Sequence, residues 1–165
     1  MPLGEVTLFG VLGAITFALQ VAMSGLPNIE PVSLLVMVYA VVFGRKCLYP
    51  IYVFVVMEIL FFGIQMWNIN YLYVWAILAL AAWMCRVMRH PLAWAILAAV
   101  FGLLFGALCA PVYLFSGGLA YAVSWWVSGI PYDLLHCGGN FVMALLLFAP
   151  LRNLLTKLYA RMRNK

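Results

Sequence analysis

The basic residues of this chain are confined to three short segments, which are separated by long apolar runs. The first two segments hold Arg45 with Lys46 and Arg86 with Arg89, and the third holds Arg152, Lys157, Arg161, Arg163 and Lys165. The N-terminus and the other gaps between apolar runs contain no Lys or Arg. Because the cytoplasmic loops of membrane proteins are enriched in Lys and Arg, this alternation predicts which side of a bilayer each loop faces.

The composition favours a bilayer over water as the solvent of the folded chain. Of the 165 residues, 68% are hydrophobic and 8% are charged, and the mean hydropathy is +1.13. A soluble domain of this size leaves roughly a third of its unfolded surface exposed, so it cannot hide so much apolar surface. The net charge of +5 comes from residues that flank apolar runs, where it suits anionic lipid headgroups rather than nucleic acid.

Six apolar segments are predicted to be membrane-spanning helices of a single domain, residues 1–165. They cover about 6–24, 32–43, 48–64, 71–84, 91–115 and 131–148. The stretch 116–129 is apolar only from 117 to 127, well short of the roughly 20 residues that a crossing needs. We therefore expect an outer loop or re-entrant cap there.

Six crossings place all nine basic residues on one side, with both termini cytoplasmic, whereas a seventh would move the last five across. The sequence thus predicts an all-α integral membrane protein of the bacterial cytoplasmic membrane. Its fold would be a compact six-transmembrane-helix bundle with outer binding loops and a short basic C-terminal tail.

Polar and aromatic residues on the side without basic charge mark a candidate binding face. They are Asn28, Glu30, Glu58, Asn68 and Asn70, together with Trp67, Tyr71 and Trp125. Glu58 lies inside the third segment, where a carboxylate needs either a ligand or a hydrogen bond to another helix. Glu30 can equally be a plain surface residue, and single aromatic residues can be interface anchors. The alternation of amides and apolar residues from Trp67 to Tyr71 is more typical of a binding loop.

Asp133, His136 and Asn140 form the strongest candidate cluster. Their spacing of three and four places them on one face of a helix that begins near Pro131. One interpretation is capping plus an internal Asp–His pair. The other is a stripe that faces a ligand, since ionisable groups inside a span normally face a cavity or a partner.

The charge balance of this outer side restricts the solute. It carries acidic residues but no Lys or Arg that could hold a carboxylate or phosphate. Asp and Glu can pair with amine or amidine donors, and aromatic residues can add cation–π contacts. A neutral or cationic aromatic solute is therefore expected.

Catalytic and metal-binding motifs are lacking from the sequence. There is no Walker A motif, no G-x-S-x-G and no H-E-x-x-H, and the four cysteines form no C-x-x-C pair. We expect no enzyme activity, no ATPase in this chain, no metal and no cofactor. Acid–base chemistry by Asp133 and His136 in an intramembrane enzyme is the weaker alternative.

Small residues recur every four positions in the first apolar segment, at Gly10, Ala14, Ala18 and Ala22. Such a stripe allows another helix to approach closely. It can serve packing inside the bundle, or it can be a docking face for another membrane protein.

Three features together resemble the substrate-binding S components of energy-coupling factor transporters. They are the pattern Ala14-x-x-x-Ala18-x-x-x-Ala22, the loop Leu26-Pro-Asn-Ile-Glu-Pro-Val-Ser33, and the segment Gly129-Ile-Pro-Tyr-Asp-Leu-Leu-His-Cys-Gly-Gly-Asn140. With the six-span size, the resemblance covers essentially the whole chain. It implies capture of a vitamin-like solute at the outer face, and a complex with a transmembrane T component and two ATPase subunits. The small-residue stripe would then be the docking face for the T component.

The missing outer cation argues against carboxylate vitamins such as biotin, folate or pantothenate. Thiamin, its pyrimidine moiety or a queuosine-type deazapurine fits the acidic and aromatic set better. A cobalamin-type S component, with His136 or Cys137 near cobalt, is one alternative. A structural membrane protein of the rod-shape-determining type, which binds other proteins rather than a solute, is another.

Overall fold

The computed structural model describes residues 1–163, and throughout this range the regular structure is helical. The helices are α1 (Leu3–Ala22), α2 (Val32–Phe43), α3 (Leu48–Phe62), α4 (Met66–Met84) and α5 (Pro91–Arg163), with a 3₁₀ turn at Gly44–Cys47 between α2 and α3. Lys165, the last of the nine basic residues, lies outside the described range. The all-α class predicted from the sequence is confirmed.

Helix α2 forms the centre of the bundle. Ten of its 12 residues are buried, and it packs against both α4 and α5. A helix that is apolar on every side must be surrounded by other helices or by lipid, and here the other helices surround it. The shortness of this helix and its many β-branched residues therefore reflect a core position.

Helix α5 is a hairpin that reverses at a single residue. Gly118 has φ 77° and ψ −178°, a backbone conformation that glycine adopts readily and other residues do not. On either side of it the chain pairs with itself, because the rings of Trp94 and Phe148 stack with centroids 4.1 Å apart. Nearer the turn, the backbone N–H of Gly106 donates to Asp133 Oδ1 at 3.0 Å. The two arms of the hairpin are residues 91–117 and 119–163.

The expected count of six separate helices is not supported within residues 1–163. The fifth and sixth predicted segments belong to one element, because a reversal at one glycine needs no connecting loop. The stretch 116–129, expected as an outer loop or re-entrant cap, is helical apart from Gly118. The apolar run 117–127 is too short to cross a membrane, but a run of that length can still be helical.

The polar stretch before Tyr71 is also helical, and the prediction of a binding loop there is wrong. Helix α4 begins at Met66, so Trp67, Asn68 and Asn70 lie in its first turns. The side-chain oxygen of Asn68 accepts a hydrogen bond from the backbone N–H of Gln65 and so caps the start of the helix. An amide-rich sequence can cap a helix as readily as it can form a loop.

Three helical stretches are long and apolar enough to cross a membrane, as judged by length and composition. They are Leu3–Ala22, Val32–Phe62 and Pro91–Arg163. A helix of 20 residues, the length of α1, is about 30 Å long, which matches the hydrocarbon thickness of a bilayer. The fold is therefore that of a membrane protein.

The basic segments meet at one end of the bundle. Lys46 Nζ donates to both carboxylate oxygens of Glu5, at 2.8 and 2.7 Å, and Tyr159 Oη donates to Glu5 Oε1 at 2.7 Å. These bonds join the start of α1, the 3₁₀ turn and the end of α5. The guanidinium of Arg86 lies 4.4 Å from the centre of the Trp83 ring, and Trp83 lines a groove together with Arg45. We call this end of the molecule the basic end.

Candidate functional site

A cavity of about 280 Å³ lies at the end of the bundle opposite the basic end. It is enclosed by the end of α1, the α1–α2 connection, α3, α4 and both arms of α5. Its polar lining residues are Gln20, Ser24, Asn28, Glu30, Tyr71 and His136, and its aromatic ones include Phe62 and Phe105. We call it the end cavity. Four predicted site residues, Asn28, Glu30, Tyr71 and His136, thus line one space.

A hydrogen-bond chain holds His136 in place. Asn140 Nδ2 donates to Ser33 Oγ at 3.1 Å and to the carbonyl of Ala98 at 3.3 Å, and Ser33 Oγ lies 3.2 Å from His136 Nε2. Because Ser33 Oγ accepts from Asn140, its own hydrogen is available to Nε2. This assignment leaves the ring proton of neutral His136 on Nδ1.

The other ring nitrogen of His136 has no hydrogen-bond partner in the part of the chain that the structure describes. The residue is 1% exposed, and Nδ1 is a buried polar atom without a hydrogen bond among the described residues. A buried donor without an acceptor is costly, by about 1–3 kcal/mol. Since His136 lines the end cavity, a bound molecule with an acceptor atom is a natural partner for it.

Asp133 lies on the same buried face but serves a different purpose. Its Oδ1 accepts the backbone N–H of Gly106 at 3.0 Å, which links the two arms of α5. A side chain at Gly106 would collide with this carboxylate, and a Cβ on Gly102 would lie 2.8 Å from the backbone of His136. The two glycines, four residues apart, allow the arms to approach closely. Asp133 does not line the end cavity.

The aromatic residues of α4 form a continuous face that reaches the end cavity. The ring of Tyr71 meets those of Trp67 and Trp75 edge-on, with centroids 5.0 and 5.2 Å apart. Tyr71 Oη accepts a hydrogen bond from Gln20 Nε2 at 3.2 Å. The Oε1 atom of Gln20 is buried and has no hydrogen-bond partner among residues 1–163, which leaves an unused acceptor beside Tyr71.

The remaining predicted site residues do not line the end cavity themselves. Asn68 caps α4, and Asn70 Oδ1 accepts from Tyr73 Oη at 3.2 Å. The ring of Trp125 stacks on Tyr113 near the turn of the α5 hairpin, with centroids 4.0 Å apart. Glu58 is 1% exposed, and its Oε1 has no hydrogen-bond partner among residues 1–163, but it lies outside the cavity lining.

The connection between α1 and α2 borders the cavity and carries its acidic group. Asn28 adopts φ 54°, and its Nδ2 donates to the carbonyl of Tyr132 at 3.3 Å, which fixes the connection to α5. Burial raises the pKa of the Glu30 carboxyl to about 7, although a hydrogen bond from Gln20 opposes this shift. Glu30 therefore gains or loses its charge near neutral pH.

Gln20, Ser33 and Phe105 are site residues that the sequence did not reveal. The ring of Phe105 meets His136 edge-on with centroids 4.9 Å apart, and so forms one wall of the cavity. A phenylalanine within an apolar helix carries no signal of this role. A glutamine near the end of an otherwise apolar helix does carry one, because a polar group at that depth needs a partner.

The small-residue stripe does not mediate the packing of α1 in this chain. Helix α1 packs against α3 through Gly13 instead, where a Cβ would lie 2.6 Å from Val53 and 2.8 Å from the carbonyl of Pro50. Of the stripe itself, Gly10 and Ala14 are half-buried, and Ala18 and Ala22 are exposed. The stripe is left largely uncovered.

No family model, curated protein or solved structure matches this chain. The class of the site therefore rests on its own chemistry. Within residues 1–163, no group of three or more His, Cys, Asp or Glu side chains is placed to hold a metal ion. What the end cavity offers is one histidine donor, amide and carboxylate acceptors, and aromatic walls.

Proposed function

We propose that this chain is the substrate-binding S component of an energy-coupling factor transporter, and that the end cavity holds its solute. The observation that carries the proposal is the end cavity itself, a space of about 280 Å³ with unpartnered polar atoms on two of its lining residues, Gln20 and His136. Small-molecule sites are typically apolar clefts with a few convergent polar groups, and this one lies near the lower limit of their usual volume.

The chemistry of the lining supports a neutral or cationic aromatic solute. Nδ1 of His136 would donate to a ring nitrogen or carbonyl, while Gln20 Oε1 and Glu30 would accept from amino groups. The rings of Tyr71 and Phe105 would contact the solute ring. Neither Lys nor Arg lines the cavity in the described chain, which disfavours a carboxylate. The aminopyrimidine of thiamin and the base of a deazapurine both match this arrangement.

The proposed topology has six crossings, with both termini on the cytoplasmic side of a bacterial cell membrane. Helices α1 to α4 would provide four crossings and the two arms of α5 the others. The clustering of Arg45, Lys46, Arg86 and the end of α5 at the basic end supports this orientation. The end cavity would then open to the outside.

Equilibrium binding to purified protein tests this proposal. Thiamin and a deazaguanine base are the probes, and biotin is the negative control because it carries a carboxylate. We expect submicromolar affinity for at least one of the two probes and none for biotin. Tight binding of biotin, with neither probe bound, would refute the proposed solute class.

The proposed partners are a T component and two ATPase subunits, and the uncovered stripe on α1 supports docking there. Replacing Ala18 with Trp should abolish ATP-driven uptake in cells while solute binding by the purified protein is retained, because the bulky side chain keeps the other helix away. Leu19→Trp is the matched control, since Leu19 is 41% exposed but lies outside the stripe. Equal loss of uptake in both variants would contradict the docking role.

Binding of a cationic solute should depend on pH through Glu30. The carboxyl in the free protein has its pKa raised to about 7, and a bound cation favours its ionised form. Affinity for thiamin should therefore rise as the pH is raised from about 5.5 to 8, and Glu30→Gln should flatten this dependence. Titration calorimetry at several pH values measures it. A steep profile that persists in Glu30→Gln would assign the dependence to another group.

A further inference from the structure

The basic end contains an open cavity of about 930 Å³ that the proposed function does not use. The N-terminal part of α1, the 3₁₀ turn and the last turns of α5 enclose it. Its charged lining residues are Glu5, Arg45, Lys46 and Arg163. Three of these are basic and one is acidic, so the described lining has an excess of positive charge.

The single carboxylate in the described lining of this cavity is already neutralised by its partners. Glu5 is 3% exposed and accepts hydrogen bonds from Lys46 and Tyr159. Lys46 is thereby committed to Glu5, and the side chain of Tyr159 fixes the end of α5 against α1. The positive charges that remain for a ligand are the guanidinium groups of Arg45 and Arg163.

These two arginines are suited to an anion. Arg45 is exposed, and its guanidinium makes no hydrogen bond or ion pair to any residue in the range 1–163. The guanidinium of Arg163 lies 5.9 Å from the centre of the Tyr159 ring, which positions it at the same cavity. A planar guanidinium matches two phosphate oxygens at once, which makes arginine well suited to binding phosphate.

Two apolar grooves begin at Arg45 and Leu48 and run along the bundle away from the cavity. One, of about 640 Å³, follows α3 past Tyr52 and Val56 to Met57. The other, of about 280 Å³, lies against α4 at Ala76, Ala79, Leu80 and Trp83. From Leu48 to Met57 a helix rises about 14 Å, roughly half the hydrocarbon thickness of a bilayer.

We propose that this face is a specific site for an anionic phospholipid. Arg45 and Arg163 hold the headgroup phosphate in the basic cavity, and the two acyl chains occupy the two grooves. A headgroup with a net negative charge is selected because the lining formed by residues 1–163 has no free carboxylate to pair with a choline or ethanolamine cation. A soluble phosphate compound makes no use of the grooves, and so it binds much more weakly.

Native mass spectrometry of the protein, released from bilayers with equal parts phosphatidylglycerol and phosphatidylcholine, tests the proposal. The wild-type protein should retain phosphatidylglycerol selectively. The pair Arg45→Gln with Arg163→Gln should lower this retention by about fivefold for each lost charge. The pair Arg89→Gln with Lys157→Gln is the matched control, because it removes the same charge from exposed residues outside the cavity. The control pair should retain the lipid as the wild type does.

Two further measurements distinguish the lipid from other occupants. Ala76→Trp, which fills the groove on α4, should also reduce retention of phosphatidylglycerol, and millimolar inorganic phosphate should not displace the lipid. Equal retention of both lipids by the wild-type protein would overturn the proposal. Equal loss of phosphatidylglycerol from the Arg45 and Arg163 double variant and from the Arg89 and Lys157 double variant would overturn it too. Displacement by inorganic phosphate would reduce the site to a phosphate site. Normal lipid retention in the Arg45 and Arg163 pair, with loss of a co-purifying protein, would make the face a protein interface.

Discussion

Replacing His136 with Ala should weaken solute binding by about 1–3 kcal/mol, or roughly tenfold to a hundredfold. The imidazole Nδ1 is a buried donor without a hydrogen-bond partner among residues 1–163, and its loss leaves the acceptor of the solute without a partner. Ser33→Ala should have a smaller effect in the same direction. It removes the hydrogen-bond partner of His136 Nε2, so the ring proton is no longer held on Nδ1. Titration calorimetry with the best-binding probe measures both changes.

The second histidine of the chain provides the control for this prediction. His90 is exposed, between α4 and α5 and next to the basic residue Arg89. His90→Ala should leave the affinity unchanged. If His136→Ala also binds as the wild type does while remaining folded, the end cavity is not the solute site.

Replacing Gly102 with Ala should destabilise the protein by about 1–3 kcal/mol, the usual range for overpacking in a tight contact. The added Cβ would lie 2.8 Å from the backbone atoms N of Cys137 and C and O of His136. Backbone atoms in a helix cannot move aside without moving the whole arm, so the two arms of α5 must separate. His136 moves with its arm, and solute affinity should therefore fall as well. Thermal unfolding in detergent gives the loss of stability.

Gly138→Ala is the matched control, on the same arm and only two residues from His136. Apart from the adjacent backbone of its own helix, a Cβ at Gly138 meets no atom of residues 1–163 within 4 Å. Because alanine has the higher helix propensity, this variant should be neutral or more stable by up to about 1 kcal/mol. We expect Gly102→Ala to lower the stability and Gly138→Ala to leave it unchanged or raise it. Equal stability of the two variants would contradict the close approach of the arms at Gly102.

The helices and the buried face of Asp133, His136 and Asn140 could be predicted from the sequence, because both follow from the spacing of residues along the chain. Apolar runs predicted where the helices lie, and the starts of α2 at Val32, α3 at Leu48 and α5 at Pro91 agree with the structure. The predicted segments 71–84 and 131–148 are shorter than α4 and the second arm of α5. The spacing of Asp133, His136 and Asn140 predicted one helical face, and all three are buried on α5. Local pattern was enough for both.

Features that depend on contacts between distant segments were not accessible. The reversal at Gly118 falls in Ser116-Gly117-Gly118, which is a turn signal, but the sequence did not show that the chain continues as a helix directly after it. Asp133, His136 and Asn140 share one stripe, yet only His136 lines the end cavity. Asp133 Oδ1 accepts from Gly106 and Asn140 Nδ2 donates to Ser33, while Asp133 Oδ2 and Asn140 Oδ1 have no hydrogen-bond partner among residues 1–163. Asn68 and Asn70 were predicted to bind solute, but their amides serve the helix start and Tyr73 instead. The partners of Asp133 and Asn140 lie on the other arm of α5 and on α2, whereas the partners of Asn68 and Asn70 lie only three residues away along the chain.

The most direct test is mass spectrometry of what co-purifies with the protein from cells in a mild detergent. The central claim is that the end cavity holds a small neutral or cationic aromatic molecule. It predicts such a molecule bound to the wild-type protein, and its loss from His136→Ala but not from His90→Ala. A folded wild-type protein that carries no small molecule and binds neither thiamin nor a deazaguanine base would contradict the claim.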